Sequence, residues 1–327
     1  MLKLKSVVVG VVILALFLGI GLLGTRIEAN EYPSKPIEMV VPYAPGGGTH
    51  IAAEILVPGA EEFLGQPLQI STKPGAGGAI GATYVAKSKP DGYTLLYTTL
   101  SLAIAPYLGK VGYNIDDFVG IAQCSDVAAV IAVKADSPWD NAKDIQEWVK
   151  ENPGKFSWAH PGVGSSLHIQ GANAFFEMGV LKDTKDVPFK GTAPGVAAVL
   201  GGHVQAISTF LPAIAENVKA KQLKVIGVGG PSRLPELPEV KTFQEQGYPA
   251  MLTSWRGVFA SKNTPPEILK KLEMSFAQII SSDPYKERSV KLGEPLVYKN
   301  MSEFTSMLRR DSQAMETLLK NMGLYKQ

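Results

Sequence analysis

The chain has almost no cysteine: Cys124 stands alone among 327 residues. That excludes an internal disulfide framework and any multi-cysteine metal site. Set among apolar residues, the thiol is expected to be buried. Histidine is nearly as scarce. His50, His160, His168 and His203 fall at no ligand spacing, so no metal is expected. Nucleotide signatures are missing as well, and no cofactor is implied. There is no G-x-x-x-x-G-K-[ST]; Gly75-x-Gly77 has Ile80 where G-x-G-x-x-G needs its third glycine, and no acidic residue lies about 20 positions on to hold a ribose. No G-x-S-x-G elbow surrounds Ser165 or Ser166. On a helix Ser166 and His168 point about 200° apart, which separates a nucleophile from its base. No catalytic set follows.

An excess of one charge is absent too. The chain carries 32 basic and 30 acidic residues, and without Lys3, Lys5, Arg26 and Glu28 of the N-terminal stretch the remainder has 29 of each. A nucleic-acid binder would show a basic face; this balance gives none. Long apolar runs are confined to Val7–Leu23, preceded by Lys3 and Lys5 and followed by Ile27-Glu28-Ala29. Residues 1–29 therefore read as a secretory signal peptide, with an uncleaved N-terminal anchor as the rival reading. The protein is expected to be periplasmic or otherwise extracytoplasmic, and monomeric. An exported chain without disulfides must rely on a large core, which 327 residues at 45% hydrophobic content can supply.

What the chain has in quantity is glycine, 33 residues, much of it in four turns. The first is Pro42-Tyr43-Ala44-Pro45-Gly46-Gly47-Gly48-Thr49-His50. The second is Lys73-Pro74-Gly75-Ala76-Gly77-Gly78-Ala79-Ile80-Gly81, the third His160-Pro161-Gly162-Val163-Gly164-Ser165-Ser166, and the fourth Lys190-Gly191-Thr192-Ala193-Pro194-Gly195. Each follows a short apolar strand (37–41, 68–71, 156–159, 187–189) and opens a helix (51–63, 80–86, 167–178, 196–200). One such turn is no more than a tight bend. Four at the same strand-to-helix junction aim unpaired N–H groups and helix dipoles at one region, a setting that binds anions without an arginine. Ligands of open α/β sheets bind beyond the carboxyl ends of the strands, where all four turns lie.

Strands alternating with helices predict parallel sheets covered on both faces. Further strands are expected at 93–98, 119–124, 128–133, 206–209 and 224–228, an extended crossing at 252–260, and helices at 140–151, 214–220, 267–281, 284–292 and 301–321. Trp139, Trp148 and Trp158 are expected in the core or on a lobe surface. Trp255, beside Arg256 in the crossing, is placed to reach the cleft.

These residues resemble a known family. Tyr32-Pro33-Ser34-Lys35-Pro36-Ile37, Val41–Thr49, Lys73–Gly78 and Lys89-Pro90-Asp91-Gly92-Tyr93-Thr94-Leu95-Leu96 are similar to the Bug-type solute receptors of tripartite tricarboxylate transporters. Gly162–His168, Val187–Pro194 and Leu200-Gly201-Gly202-His203-Val204 continue the likeness, which spans residues 31–327 in order. The resemblance implies an α/β, type II periplasmic-binding-protein fold with two α/β lobes around a ligand cleft: residues 30–130 and 230–327 in one lobe, 131–229 in the other. It implies a non-enzymatic receptor for a di-, tri- or aromatic carboxylate, with a membrane permease as partner. Ligand contacts would come from Tyr43, Gly46, Gly47, Gly48, Thr49, His50, Pro74, Gly75, Ala76, Gly77 and Gly78, and from Ser165, Ser166, His168, Lys190, Gly191, Thr192, Ala193 and Thr209 across the cleft. The family usually has Asp at the position of His50 and often at Gln205 and Thr209; their loss makes the cleft less negative and less suited to an amine. His50, if it touches the ligand, would make binding pH-sensitive. A sensor subunit, or a hydrolase using Ser166 and His168, are the alternatives.

Overall fold

The computed structural model of the chain describes residues 32–250 and 253–326; the expected signal peptide or anchor lies outside them. The strands in chain order are β1 Ile37–Val41, β2 Leu68–Thr72, β3 Thr94–Thr99, β4 Phe118–Ala128, β5 Val130–Lys134, β6 Phe156–His160, β7 Thr184–Pro188, β8 Ala206–Thr209, β9 Leu223–Val228, β10 Thr253–Ser261 and β11 Leu296–Lys299. They form a six-stranded sheet, β11-β4-β10-β3-β1-β2, and a five-stranded sheet, β7-β6-β8-β5-β9.

Both sheets are mixed, which corrects the parallel expectation. β1 runs parallel to β2 and β3, but β10 inserts antiparallel between β3 and β4. In the second sheet β6 runs parallel to β7 and β8, while β5 is antiparallel to β8 and β9. The expected crossing at 252–260 is thus a central strand, buried at all but its first residue. β11 went unread because it is four residues long, partly exposed and at the sheet edge.

The helices are α1 Gly48–Glu54, α2 Val57–Leu64, α3 Ala79–Ala86, α4 Ser101–Ile104, α5 Ala142–Glu151, α6 Ser166–Glu177, α7 Thr192–Leu200, α8 Ala215–Lys219, α9 Pro266–Ser281, α10 Asp283–Lys291 and α11 Met301–Met322. The single helix expected over 51–63 is two. Pro58 has no N–H to give the carbonyl of Glu54, so the ladder breaks there and the proline sits in the first turn of α2. Among the described residues no helix is long and apolar enough to cross a membrane.

Each sheet is buttressed by aromatic packing. Behind the first, Phe259 lies against Phe304 (centroids 4.7 Å) and Phe118 (6.5 Å). Behind the second, Trp139 meets Trp148 edge-on at 5.4 Å and Phe156 at 5.2 Å. Trp158 is fully buried against Phe175.

Only Ala129 separates β4 of one sheet from β5 of the other. The chain returns beside it: the Gly229 N–H donates to the Ala129 carbonyl at 2.8 Å, and a Cβ on Gly230 would lie 2.8 Å from the Ala129-adjacent Ala128 Cβ. Residues 234–248 then stay with the second sheet: Thr242 pairs with Val228, and Leu234, Leu237 and Val240 pack on its core. The Ala129 N–H also donates to Gln170 Oε1 of α6 at 3.0 Å, tying this connection between the sheets to a helix that opens at the cleft.

Candidate functional site

The four glycine turns meet in one cavity of about 620 Å³ between the sheets. The first sheet contributes Tyr43, Ala44 and Gly47–Thr49 after β1, Pro74–Gly78 after β2, Thr99 and Ser101 after β3, and Arg256 from β10. The second contributes Pro161–Val163 and Ser165–Leu167 after β6, Phe189–Thr192 after β7, and Phe210 after β8. A hollow of about 710 Å³ lined by Glu38, Tyr84, Lys87 and Asp91 meets the glycine turns only at Ile80 and is open to solvent.

The cavity is closed over by direct contact between lobes. Gly75, Ala76, Gly77 and Gly78 all have positive φ, so the second turn is a continuous left-handed bend. A Cβ on Gly77 would lie 2.9 Å from both the Gly164 carbonyl carbon and the Val163 oxygen, so the second turn rests on the third. Beside this contact, the Ser166 N–H donates to Ser101 Oγ at 2.9 Å. Ser101 Oγ and Tyr43 OH each lie 2.9 Å from Thr99 Oγ1, forming a hydroxyl chain along the cavity wall.

Electrostatically the cavity favours anions. No Asp or Glu is among its lining residues, whereas Lys190 and Arg256 are. The N-terminus of α7 carries no side-chain cap, leaving its first N–H groups for a ligand or water; at α3 the Ala79 N–H donates instead to the Ala76 carbonyl. α6 differs: Ser165 Oγ accepts from the His168 N–H at 3.1 Å. Arg256 is 1% exposed. Its guanidinium pairs with Glu294, which also accepts from Ser125 Oγ at 2.9 Å, and lies 4.9 Å from the Phe210 ring centre. Burial pulls its pKa below the usual guanidinium value, opposed by the nearby hydroxyls of Tyr97, Tyr43 and Tyr285.

Most residues singled out in the sequence come together here; Gly46, His50, His168, Ala193 and Thr209 do not line the cavity. Gly46 is the exposed outer apex of its turn. His50 turns along α1, its Nδ1 3.5 Å from Glu54 Oε1, so the expected pH dependence through His50 has no contact behind it. Ala193 is carried outward by α7, and Thr209 is buried with its hydroxyl donating to the Phe210 carbonyl at 3.4 Å. Trp255 is buried away from the cleft: its indole N–H donates to Asp311 Oδ2 at 2.8 Å and its ring packs on Phe304. Strand alternation then sends Arg256 to the opposite face. Sequence reading overlooked Arg256, Thr99, Ser101, Phe189 and Phe210. The Trp-Arg pair in an extended segment was the one available signal.

His168 belongs to a cluster behind the third turn. Its Nε2 and that of His160 lie 3.6 and 3.3 Å from Asp186 Oδ2, with the two rings stacked at 4.3 Å. Among the described residues this is the one grouping with metal-ligand reach. Its donor set does not suit a metal, however. His160 Nδ1 accepts from the Gly162 N–H and His168 Nδ1 from the Gly164 N–H, each at 3.3 Å. Both protons therefore sit on Nε2, the atoms a metal would need. The cluster instead holds the third turn in shape.

Burial, and then the neighbouring His160, push His168 down to about 4; burial also lowers His160. A histidine kept neutral by folding takes up more protons unfolded, so its contribution is intact above about pH 6.5 and is lost as pH falls towards 4. The unliganded protein should lose on the order of 3 kcal/mol across that window through His168. Denaturation curves between pH 7 and 4 check this: the slope should shrink in His168→Asn, and an equal slope in the variant would refute it.

Residues 52–324 match the family described as tripartite tricarboxylate transporter family receptor. The periplasmic binding protein BugD is 32% identical, with 90% of this chain and 100% of BugD covered at a TM-score of 0.83. MatC from Rhodopseudomonas palustris, solved with bound malate, is 25% identical over 88% of this chain and all of its own, at a TM-score of 0.80. A second R. palustris protein, solved with adipate, is 26% identical over 89% of this chain and 98% of its own, at 0.82. The two-lobe architecture is that of the periplasmic binding proteins. With the family match covering most of its length and four glycine turns converging on one interlobe cavity, the chain belongs to the Bug-type receptors of the tripartite tricarboxylate transporter family.

Proposed function

We propose that the protein is an extracytoplasmic receptor that captures a small organic carboxylate between its lobes and delivers it to a membrane permease. The observation that carries this reading is the cavity lining: main-chain N–H groups at the uncapped start of α7, Lys190 and Arg256, and no carboxylate side chain. Malate and adipate in the related structures support the same ligand class. The ligand contacts would come from the first two turns on one lobe and the third and fourth on the other, with closing bodies dividing near residue 130 and between β9 and β10. Binding that favours the closed form would then shift the open–closed balance, and the closed form is what a permease would read. The reading is non-enzymatic. Both ring nitrogens of His168 are engaged by Gly164 and Asp186, so they supply no base to Ser166.

Thermal shift of the purified protein against di-, tri- and aromatic carboxylates tests this. An acid at 100 times its Kd should add about 2.7 kcal/mol of stability. If none raises Tm even after the protein is unfolded, stripped of carried-over ligand and refolded, the reading falls.

A further inference from the structure

We infer that Arg256 is the residue that makes this cavity select a dicarboxylate over the matching monocarboxylate, by receiving the second carboxylate. The inference rests on the carboxylate reading above and names the class within it. A guanidinium offers five N–H donors in a fixed fork. Glu294 engages Nη1, yet Nε–H, fully buried, has no acceptor. Nη2 faces the first glycine turn: a Cβ on Gly48 would sit 3.5 Å from it, in space that glycine leaves open. A carboxylate oxygen arriving over that turn meets Nη2, and the flat fork suits two oxygens at once.

The guanidinium is held for this task from two sides. Glu294, itself fixed by Ser125, anchors one end, and the Phe210 ring lies against its face. Phe210 comes from the opposite lobe, so the arginine is walled in once the lobes meet. The other cation, Lys190, stands across the cavity at the uncapped start of the nine-residue helix α7. The lining also carries the apolar side chains of Leu167, Phe189 and Phe210. Two anionic ends joined by a hydrocarbon or aromatic middle fit that distribution; a monocarboxylate leaves the Arg256 Nε–H buried and unanswered.

Calorimetry with matched pairs tests the assignment: succinate with butyrate, adipate with hexanoate, terephthalate with benzoate. The wild type should prefer the dicarboxylate of the bound pair by about 100-fold, the size expected of a charge-assisted contact in a desolvated site. Arg256→Gln combined with Glu294→Gln removes the buried pair together, and the preference should collapse to a few-fold. Arg256→Lys, which keeps the charge beside Glu294 but loses the fork, should give an intermediate preference and serves if the double variant fails to fold. Equal losses for both members of a pair would make Arg256 a support for Phe210 and overturn the inference, as would an undiminished preference. Those outcomes leave carboxylate binding standing. If the wild type binds neither member of any pair and no di-, tri- or aromatic carboxylate raises its Tm, the carboxylate reading itself fails.

Discussion

Gly77→Ala should lower affinity for the captured acid by about 100-fold while leaving a folded protein. At φ +63° alanine adopts the left-handed region at a cost of about 1–2 kcal/mol, which appears as a modest loss of stability. The larger effect is on closure. The new methyl would meet the Gly164 carbon and Val163 oxygen at 2.9 Å, and these are main-chain atoms that cannot swing aside as a side-chain tip would. The turns must separate, and the Ser166–Ser101 hydrogen bond beside them stretches or breaks. If the closed form is raised by about 3 kcal/mol relative to the open one, apparent affinity falls roughly 100-fold. Gly46→Ala is the control: φ is +76° there too, but nothing lies within 4 Å of the new methyl, so it should pay the backbone cost and keep its affinity. Calorimetry and the radius of gyration with and without ligand read the outcome. Wild-type affinity in Gly77→Ala would show that the contact between turns is not part of ligand capture.

Glu294→Leu is the substitution expected to cost most in stability, about 3–5 kcal/mol, because it leaves the buried Arg256 cation without its partner. Glu294 is 7% exposed and Arg256 1%, so water cannot take the carboxylate's place without opening the core. Arg256→Met with Glu294→Leu should recover most of the loss, since an apolar pair of similar volume avoids desolvating two charges. Urea denaturation of the two single variants and the double one gives the cycle. A double variant as unstable as Glu294→Leu would mean that shape, not charge, is what the pair supplies. Recovery would instead identify the pair as a costly device kept for the cation it holds at the cavity wall.

The turns that build the site were legible because their signal is local. Glycine after an apolar strand and before a helix states its own backbone geometry, and Gly75 to Gly78 adopt the left-handed angles such residues allow. The balanced charge and the lone buried Cys124 were equally readable. Resemblance, in turn, carried the two-lobe fold. Sequence pattern could not give the strand order. β10 is inserted beside β3 from more than 150 residues away, and pairing partners at that distance are chosen by how whole layers pack, not by neighbours in the chain. Arg256 depends on that insertion: in the sequence it is one charge in an extended stretch, and only the pairing of β10 turns it, and not Trp255, towards the cavity. The same holds for His168. The resemblance assigned it to the ligand, but the helix turned it to Asp186, brought there by the parallel pairing of β6 and β7. The sequence by itself determined where the main chain could offer N–H groups to an anion. Only the tertiary structure decided which charged side chains face it, because side-chain direction follows from helix phase, strand register and the meeting of the two lobes.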